Sequence, residues 1–281
     1  MTRPVVSVVV PFRGDATRAA RLAASLGRLR LGSNDEVIVA DNSDRPVFEA
    51  RPGLRVVHAA GERSSYHARN AGAAAAQGEW ILFIDSDCVP EPDLVDAYFA
   101  PAPQKRTGVM AGAVATDPGQ DAFLARYAND RNFLDQAEGL HTGGEAAATA
   151  NLMVRRSAFE QAGGFADGIR SAGDVDLCRR LGAAGWDLEH RPAASVHHLH
   201  RESLPDLLGS IARYAAGARW LNERYPGTAQ AWPLAHGLAL CGRDIALDLA
   251  RLRFERAAFR GVDALGMFAH TIGYRRSNAA R

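Results

Sequence analysis

Two carboxylates one residue apart, Asp85 and Asp87, close the apolar run Trp80-Ile81-Leu82-Phe83-Ile84. Acids at that spacing, with no Lys or Arg beside them, repel each other unless a cation or a donor-rich ligand compensates them. Their hard oxygens suit Mg2+ or Mn2+ carrying a phosphate-bearing substrate. Taken alone, Asp-Ser-Asp reads as well as a turn capping a helix that Pro90 and Pro92 would start. Two further polar sites follow apolar runs in the same way: Arg13-Gly14 after Val5–Val10, and Asp41 after Glu36–Ala40. If these runs are parallel strands, all three sites face one carboxyl edge, where open α/β sheets bind ligands. Such a crevice suits a nucleoside diphosphate bridged by a divalent ion. Arg69 and Asn70 are placed to reach it, and Gly72 would let the backbone come close.

The elements that must hold these residues are legible in the pattern. Val5–Val10 is β-branched and closed by Pro11, a buried strand with a stop. Thr17 to Leu29 has helical spacing with Thr17 as cap. Strands follow at Glu36–Ala40, Leu54–His58 and Trp80–Ile84, with a helix from Ser64 or Ser65 to Gln77 before the last. Strands alternating with helices at this pace indicate βαβ units and a doubly wound sheet. Beyond lie a short helix at Pro92–Phe99, a strand at Gly108–Thr116, a helix at Gln120–Glu138 and a glycine-rich stretch at Gly139–Glu145. A strand at Thr149–Val154 leads to a capping box at Ser157–Glu160. A helix at Asp174–Ala184 and two short strands near Trp186–His190 and Ala194–His198 complete this part. From Ser203 onward the pattern is helical only.

Composition narrows the classes. The chain has 281 residues, 47% of them hydrophobic, and a formal net charge of +1, which gives no sign of a nucleic-acid partner. From Arg201 onward twelve Arg face seven acids, a net +5, so residues 1–200 carry −4. Three cysteines without metal-type spacing and no signal peptide imply reduced thiols and a cytoplasmic location. No apolar run reaches membrane-spanning length. Neither a Gly-x-Gly-x-x-Gly after the first strand nor a P-loop is present.

Four blocks in order resemble a family 2 glycosyltransferase with the GT-A fold, a nucleotide-diphospho-sugar transferase. They are Ser7–Pro11; Val37–Ser43; Ala68–Gly72 with Gly78-Glu79 and Phe83–Asp87; and the set Ala150–Arg156, Gly163–Phe165, Asp174–Leu177 and Val196–Arg201. The fold implied is α/β: a GT-A, Rossmann-like doubly wound mixed sheet with a C-terminal helical extension. The catalytic domain would span 1–203, with a donor half at about 1–100 and an acceptor half at about 101–203; residues 204–281 would form the helical region. The activity implied is inverting, metal-dependent transfer of a sugar from a UDP-, GDP- or dTDP-linked donor to a hydroxyl acceptor on a glycan, a lipid-linked glycan or a small molecule. Pro11, Arg13, Asp41, Arg69 and Asp85 would form the donor side, with Asp41 on the nucleobase. Asp87 and His198 would hold Mn2+ or Mg2+. Asp174 would be the general base, and Asn151 and Asp176 would lie on the acceptor side.

The residues themselves leave alternatives open. Asp174 and Asp176 also fit an N-cap and first turn, where the dipole and free N–H groups would keep Asp174 ionised. On a strand His198 and His200 share a face while His197 points away, so one ligand among them is expected and a trio is not. The family pattern has Glu before the base, and this chain has Gly173. The basic, apolar-striped C-terminal helices suit a cytoplasmic membrane surface, packing on the core, or a homodimer. Two other readings are a nucleotidyltransferase acting on a sugar phosphate, which would release pyrophosphate, and a non-catalytic sugar-nucleotide or glycan binding module.

Overall fold

The computed structural model describes residues 3–132, 147–228 and 233–280. One eight-stranded mixed sheet carries the site. Its strands are β1 (Val6–Phe12), β2 (Glu36–Asp41), β3 (Leu54–His58), β4 (Trp80–Ile84), β5 (Cys88–Pro90), β6 (Thr107–Thr116), β7 (Asn151–Arg155) and β8 (Asp187–His198). They lie in the order β3-β2-β1-β4-β7-β6-β8-β5. The first four are mutually parallel; β7 runs antiparallel to both β4 and β6, β8 parallel to β6, and β5 antiparallel to β8. The chain goes from β1 outward to β2 and β3, then returns to the other side of β1 as β4. That reversal opens a crevice beyond the ends of β1 and β4.

Alternation on β4 explains why its run is wholly apolar. Trp80, Leu82 and Ile84 enter one core with Val8, Val10, Leu22, Leu94 and Tyr98. Ile81 and Phe83 enter the other with Val9, Ile38, Phe159, Phe165 and Leu177. Both faces are covered, so both parities must be apolar. Described helices are α1 (Ala16–Leu26), α2 (Ser65–Ala75), α3 (Leu94–Tyr98), α4 (Phe123–Asp130), α5 (Arg156–Gln161), α6 (Gly173–Ala183), α7 (Leu204–Arg224), α8 (Leu234–Ala250) and α9 (Phe254–Tyr274). α9 packs against both α7 and α8, and α7 and α9 pack onto α4 through Leu124, Tyr127, Leu207, Phe259 and Val262. Downstream of α9 the chain returns to 168–171: Arg170 N–H donates to Asn278 O and Ala280 N–H to Gly168 O. The helical region is thus docked on the sheet-bearing part. No described helix is long and apolar enough to cross a membrane.

Several local expectations change. Pro11 lies inside β1, paired with Ala40, and does not close it. Asp15, not Thr17, caps α1 by accepting from Arg18 N–H. Helix α5 begins at Arg156, so the Ser157–Glu160 box is already helical and caps nothing. The two short strands expected near 186–198 are one, β8. Pairing with β6 jumps from Arg191 to Ser195 across Pro192, which removes a ladder donor while the chain continues extended. The part of the expected Gln120–Glu138 helix beyond 132, and the Gly139–Glu145 stretch, lie outside the described residues.

Candidate active site

Strand pairing assembles the acidic turn with a histidine. Beyond β4, Cys88 N–H donates to Asp85 O at 3.0 Å, closing a turn that presents Asp85 and Asp87. β5 then pairs with β8 so that Cys88 faces His198, and Leu199 N–H donates to Asp87 O at 2.8 Å. His198 Nε2 consequently lies 3.6 Å from an Asp87 oxygen, and an Arg201 nitrogen lies 3.2 Å from the other. Ligand atoms of Asp87, Cys88 and His198 fall within 4.8 Å of one another. Burial pushes the Cys88 thiol well above its ordinary pKa, and the charges of Asp87 and Asp85 push the same way. The hard donors are a carboxylate oxygen and an imidazole nitrogen, a set suited to Mn2+ or Mg2+ completed by phosphate oxygens. His198 Nδ1 is buried without a partner among the described residues, so the ring's one exposed donor or acceptor is Nε2, facing Asp87.

The second cluster stands on α2 and α6. Ser64 caps α2 and donates to Ile169 O at 2.6 Å, tying the helix to the 168–171 loop. One turn on, buried Arg69 donates to Ser65 Oγ at 3.1 Å and to the Asp85 carboxylate, with the rings of Tyr66 and Phe165 beside its guanidinium. Asp174, in the first turn of α6, accepts from Val175 N–H at 3.0 Å, and from Thr149 N–H and Tyr66 OH at 3.4 Å each. Burial raises the Asp174 carboxyl above its ordinary pKa; the charge of Arg69 and those backbone donors offset it only in part. Desolvation is the larger effect, outweighing the donors at the helix start. The raised proton affinity suits a general base. Ala172, just before, has φ +67, the left-handed region that costs a non-glycine residue about 1–3 kcal/mol.

Gly173 has a definite cause. A Cβ there would sit 2.9 Å from the Tyr66 ring, closer than real contacts come. Tyr66 occupies the space of the Glu implied at this position, and its hydroxyl faces the Asp174 carboxylate. The sequence held no signal of this, because the partners are 107 residues apart.

Other expected residues are engaged elsewhere. Asp41 is fully buried and accepts from Ser43, Val47 and Phe48 N–H, shaping the 43–48 loop. Burial opposes its charge, but these bonds outweigh it and hold the carboxyl below its ordinary pKa. Both of its oxygens accept from the loop. Asn151 is also fully buried. Its amide donates to Ala113 O and Ala194 O at 2.9 Å each and accepts from Tyr98 OH at 2.7 Å, in space that only Gly112 provides. It ties β7 to β6 and β8. Asp176, buried on the opposite face of α6 from the cleft groups, accepts from Arg180 at 2.8 Å, Tyr225 OH at 2.9 Å and Arg224 at 2.9 Å, fastening α6 to α7. Arg13 pairs with Asp44 at the surface, and Pro11 is buried in β1. Asn70 binds Phe165 backbone instead of facing the crevice. Gly72 does permit a close approach, but of α2 to the sheet: a Cβ would meet Val9 Cγ1 at 2.5 Å. His197 pairs with Glu91 at 2.7 Å, while the His198 and His200 rings lie 5.0 Å apart, His200 being two residues past the end of β8. His200, pushed down to about pKa 4 by burial and by the charges of His198 and Arg201, is neutral. Arg201, beside Asp87, had no role assigned from sequence although it follows the histidine run directly.

Comparison with known proteins gives the family and the fold. Pre-mycofactocin glycosyltransferase of Mycobacterium tuberculosis is 30% identical over 273 residues, covering 90% of this chain and 57% of that protein. Glycosyltransferase AglE of Haloferax volcanii is 28% identical over 197 residues, 66% of this chain and 64% of that one. The chain thus spans less than two thirds of either relative. Among solved structures, mannosyltransferase PcManGT of Pyrobaculum calidifontis, in complex with GDP-Man and Mn2+, superposes with a TM-score of 0.64 at 18% identity, over 95% of this chain and 88% of that one. GalNAc-T7 with UDP, GalNAc and Mn2+ gives 0.52 at 16% identity, over 70% and 43%. The fold is GT-A, an α/β mixed sheet. The family model described as Glycosyl transferase family 2 matches residues 7–163, more than half of the sequence, and this chain belongs to that family.

Proposed function

We propose that the chain catalyses inverting transfer of a sugar from a nucleoside-diphosphate donor to an acceptor hydroxyl, with Mn2+ or Mg2+ as cofactor. The observation that carries this is the convergence of Asp87 and His198 across the β5–β8 pairing, beside the Arg69–Asp85 pair. Asp87 and His198 would hold the ion, which when bound supplies charge neutralisation at the departing diphosphate. Arg69, fixed by Asp85 and Ser65, and Arg201 add positive charge where that diphosphate would lie. Asp174 takes the proton from the acceptor hydroxyl as its oxygen bonds to the anomeric carbon. The bond from that carbon to the diphosphate oxygen breaks on the opposite face, and its electron pair leaves with the nucleoside diphosphate. The base contributes roughly 10²–10⁴-fold. GDP-Man, UDP and Mn2+ in the structural relatives support the donor and metal classes. An acceptor joined to a lipid is supported by a shorter match, 39% identical over 95 residues, to N-acetylglucosaminyl-diphospho-decaprenol L-rhamnosyltransferase of Mycobacterium tuberculosis.

The test is product release from UDP-, GDP- and dTDP-sugars with and without Mn2+. Nucleoside diphosphate should appear only with metal, and Asp87→Ala should abolish it. Pyrophosphate would indicate nucleotidyl transfer instead, and full activity in Asp87→Ala would remove the metal assignment.

An anionic lipid surface is the partner proposed for the turn between α8 and α9. Leu252 and Phe254 there are 74% and 63% exposed, and Arg251, Arg253 and Arg256 flank them. Apolar tips among cations suit insertion at a headgroup boundary.

A further inference from the structure

A cavity of about 740 Å³ opens beside the metal-type cluster and runs between α4 and the C-terminal helices. His198 and Arg201, which approach Asp87, also line its mouth. Its apolar lining includes Leu207, Ile211, Ala215, Ala218 and Met267, with Leu240 at the exposed edge. Charged groups that line it are paired: Arg131 with Asp263 at 2.7 Å, Arg260 with Asp263 at 3.5 Å and Asp244 with Arg243 at 2.8 Å, while Tyr127 OH donates to Asp263 at 2.9 Å. They leave no net demand for a charged ligand. The volume is that of a small-molecule site, which buries most of a ligand against apolar walls and orients it by a few polar groups. At the end shared with Asp87 those polar groups are His198 and Arg201; elsewhere Ser210, Asp244 and His270 also line the cavity.

Resting on the transferase reading, we propose that this cavity is the acceptor subsite, and that the acceptor is amphipathic: an apolar body between α4, α7 and α9, and a hydroxyl-bearing head that leaves the cavity past His198 and Arg201 toward Asp174. A purely polar glycan would leave these walls unfilled and its own hydroxyls unpartnered. The C-terminal helices then select the acceptor, while the sheet handles the donor.

Butyl, hexyl and octyl β-D-glucosides, below their micelle concentrations, serve as probes with the full chain. Affinity measured by calorimetry should rise about fourfold per methylene that enters the cavity. Ala218→Trp, which fills the cavity, and Leu240→Asp, which makes its rim polar, should each flatten the series. Melting temperatures and UDP and GDP titrations with Mn2+ control for fold and donor site. In the donor panel, the longer glucosides should accelerate nucleoside diphosphate release most. Equal affinities across the series, or a slope unchanged in both variants, would overturn the proposal. So would cavity binding without any effect on product release, which would mark a pocket for an unrelated apolar ligand. No response to any nucleotide would sink the transferase reading separately, and the alkyl series would still decide whether the cavity takes an apolar body.

Discussion

At the residue scale, the base is held in a state that costs stability. Burial gives Asp174 a raised pKa, so the folded chain binds its proton more tightly than the unfolded chain does. The stabilisation from that proton is present at pH values below the ordinary aspartate range and is lost as pH rises through the folded-state value. Near neutrality the ionised carboxylate is therefore a net burden. Asp174→Asn should lower kcat by about 10²–10⁴-fold, leave donor affinity near wild type, and give a melting temperature no lower than wild type at pH 7. Equal losses in kcat and donor affinity would mark a structural cap. The acidic limb of the wild-type kcat/KM profile should lie above the range of an ordinary aspartate. Tyr66→Phe removes a donor to the ionised form and should move that limb further up. Gly173→Ala should cost about 1–3 kcal/mol by overpacking against Tyr66, and far less in a Tyr66→Ala background; urea denaturation of the four variants measures the coupling. The acidic pair was legible because an apolar run ends on it. The Tyr66–Gly173 contact was not, since only the fold brings α2 against α6. Asp41, Asn151 and Asp176 show the same limit from the other side: their types fit a site, and only their hydrogen bonds reveal that loop, strand and helix already use them.

At the element scale, the site depends on how deeply α2 sits on the sheet. Gly72 permits that depth, with Val9 where its Cβ would be, and Arg69 rides on the same helix toward Asp85. Gly72→Ala should lift α2 by a few tenths of an ångström and cost about 1–3 kcal/mol from overpacking, despite the helix-propensity gain of about 1 kcal/mol over Gly. UDP or GDP affinity with Mn2+ should fall with it, because Arg69 moves. Val9→Ala in the same chain should restore both; affinity that stays low after stability returns would show that α2 does not set Arg69. Periodicity marked α2 and its neighbours, since helices covering a parallel sheet must carry small or apolar faces. It divided β8 in two because Pro192 and its neighbours read as a break. The pairing with β6 is what carries the strand across.

At the scale of the whole molecule, the C-terminal helices meet both the catalytic part and open solvent. Inward, α7 and α9 cross so closely that a Cβ on Gly273 would lie 2.1 Å from Ala212 O, and the segment after α9 binds the 168–171 loop from which Asp174 follows. Packing on the core, one of the options in the helical pattern, is therefore realised. Outward, Leu247, Leu249, Leu252, Phe254, Phe268 and Ile272 remain exposed. A basic excess spread over the sequence could not show this division; it needed the helices to be folded against α4. If the outward face meets anionic lipid, vesicles of phosphatidylcholine with phosphatidylserine should co-sediment the chain at low salt. The bound fraction should fall by severalfold on raising salt, since each juxtamembrane cation contributes about 1 kcal/mol and is screened within roughly 8 Å at physiological ionic strength. Leu252→Asp with Phe254→Asp should release it at constant ionic strength, because both side chains are mostly exposed and the fold loses little by the change. Concentration-dependent dimerisation with no response to vesicles would assign the same face to a second copy of the chain. The double variant separates the two cases, since only lipid binding would then be lost while the oligomeric state stayed fixed.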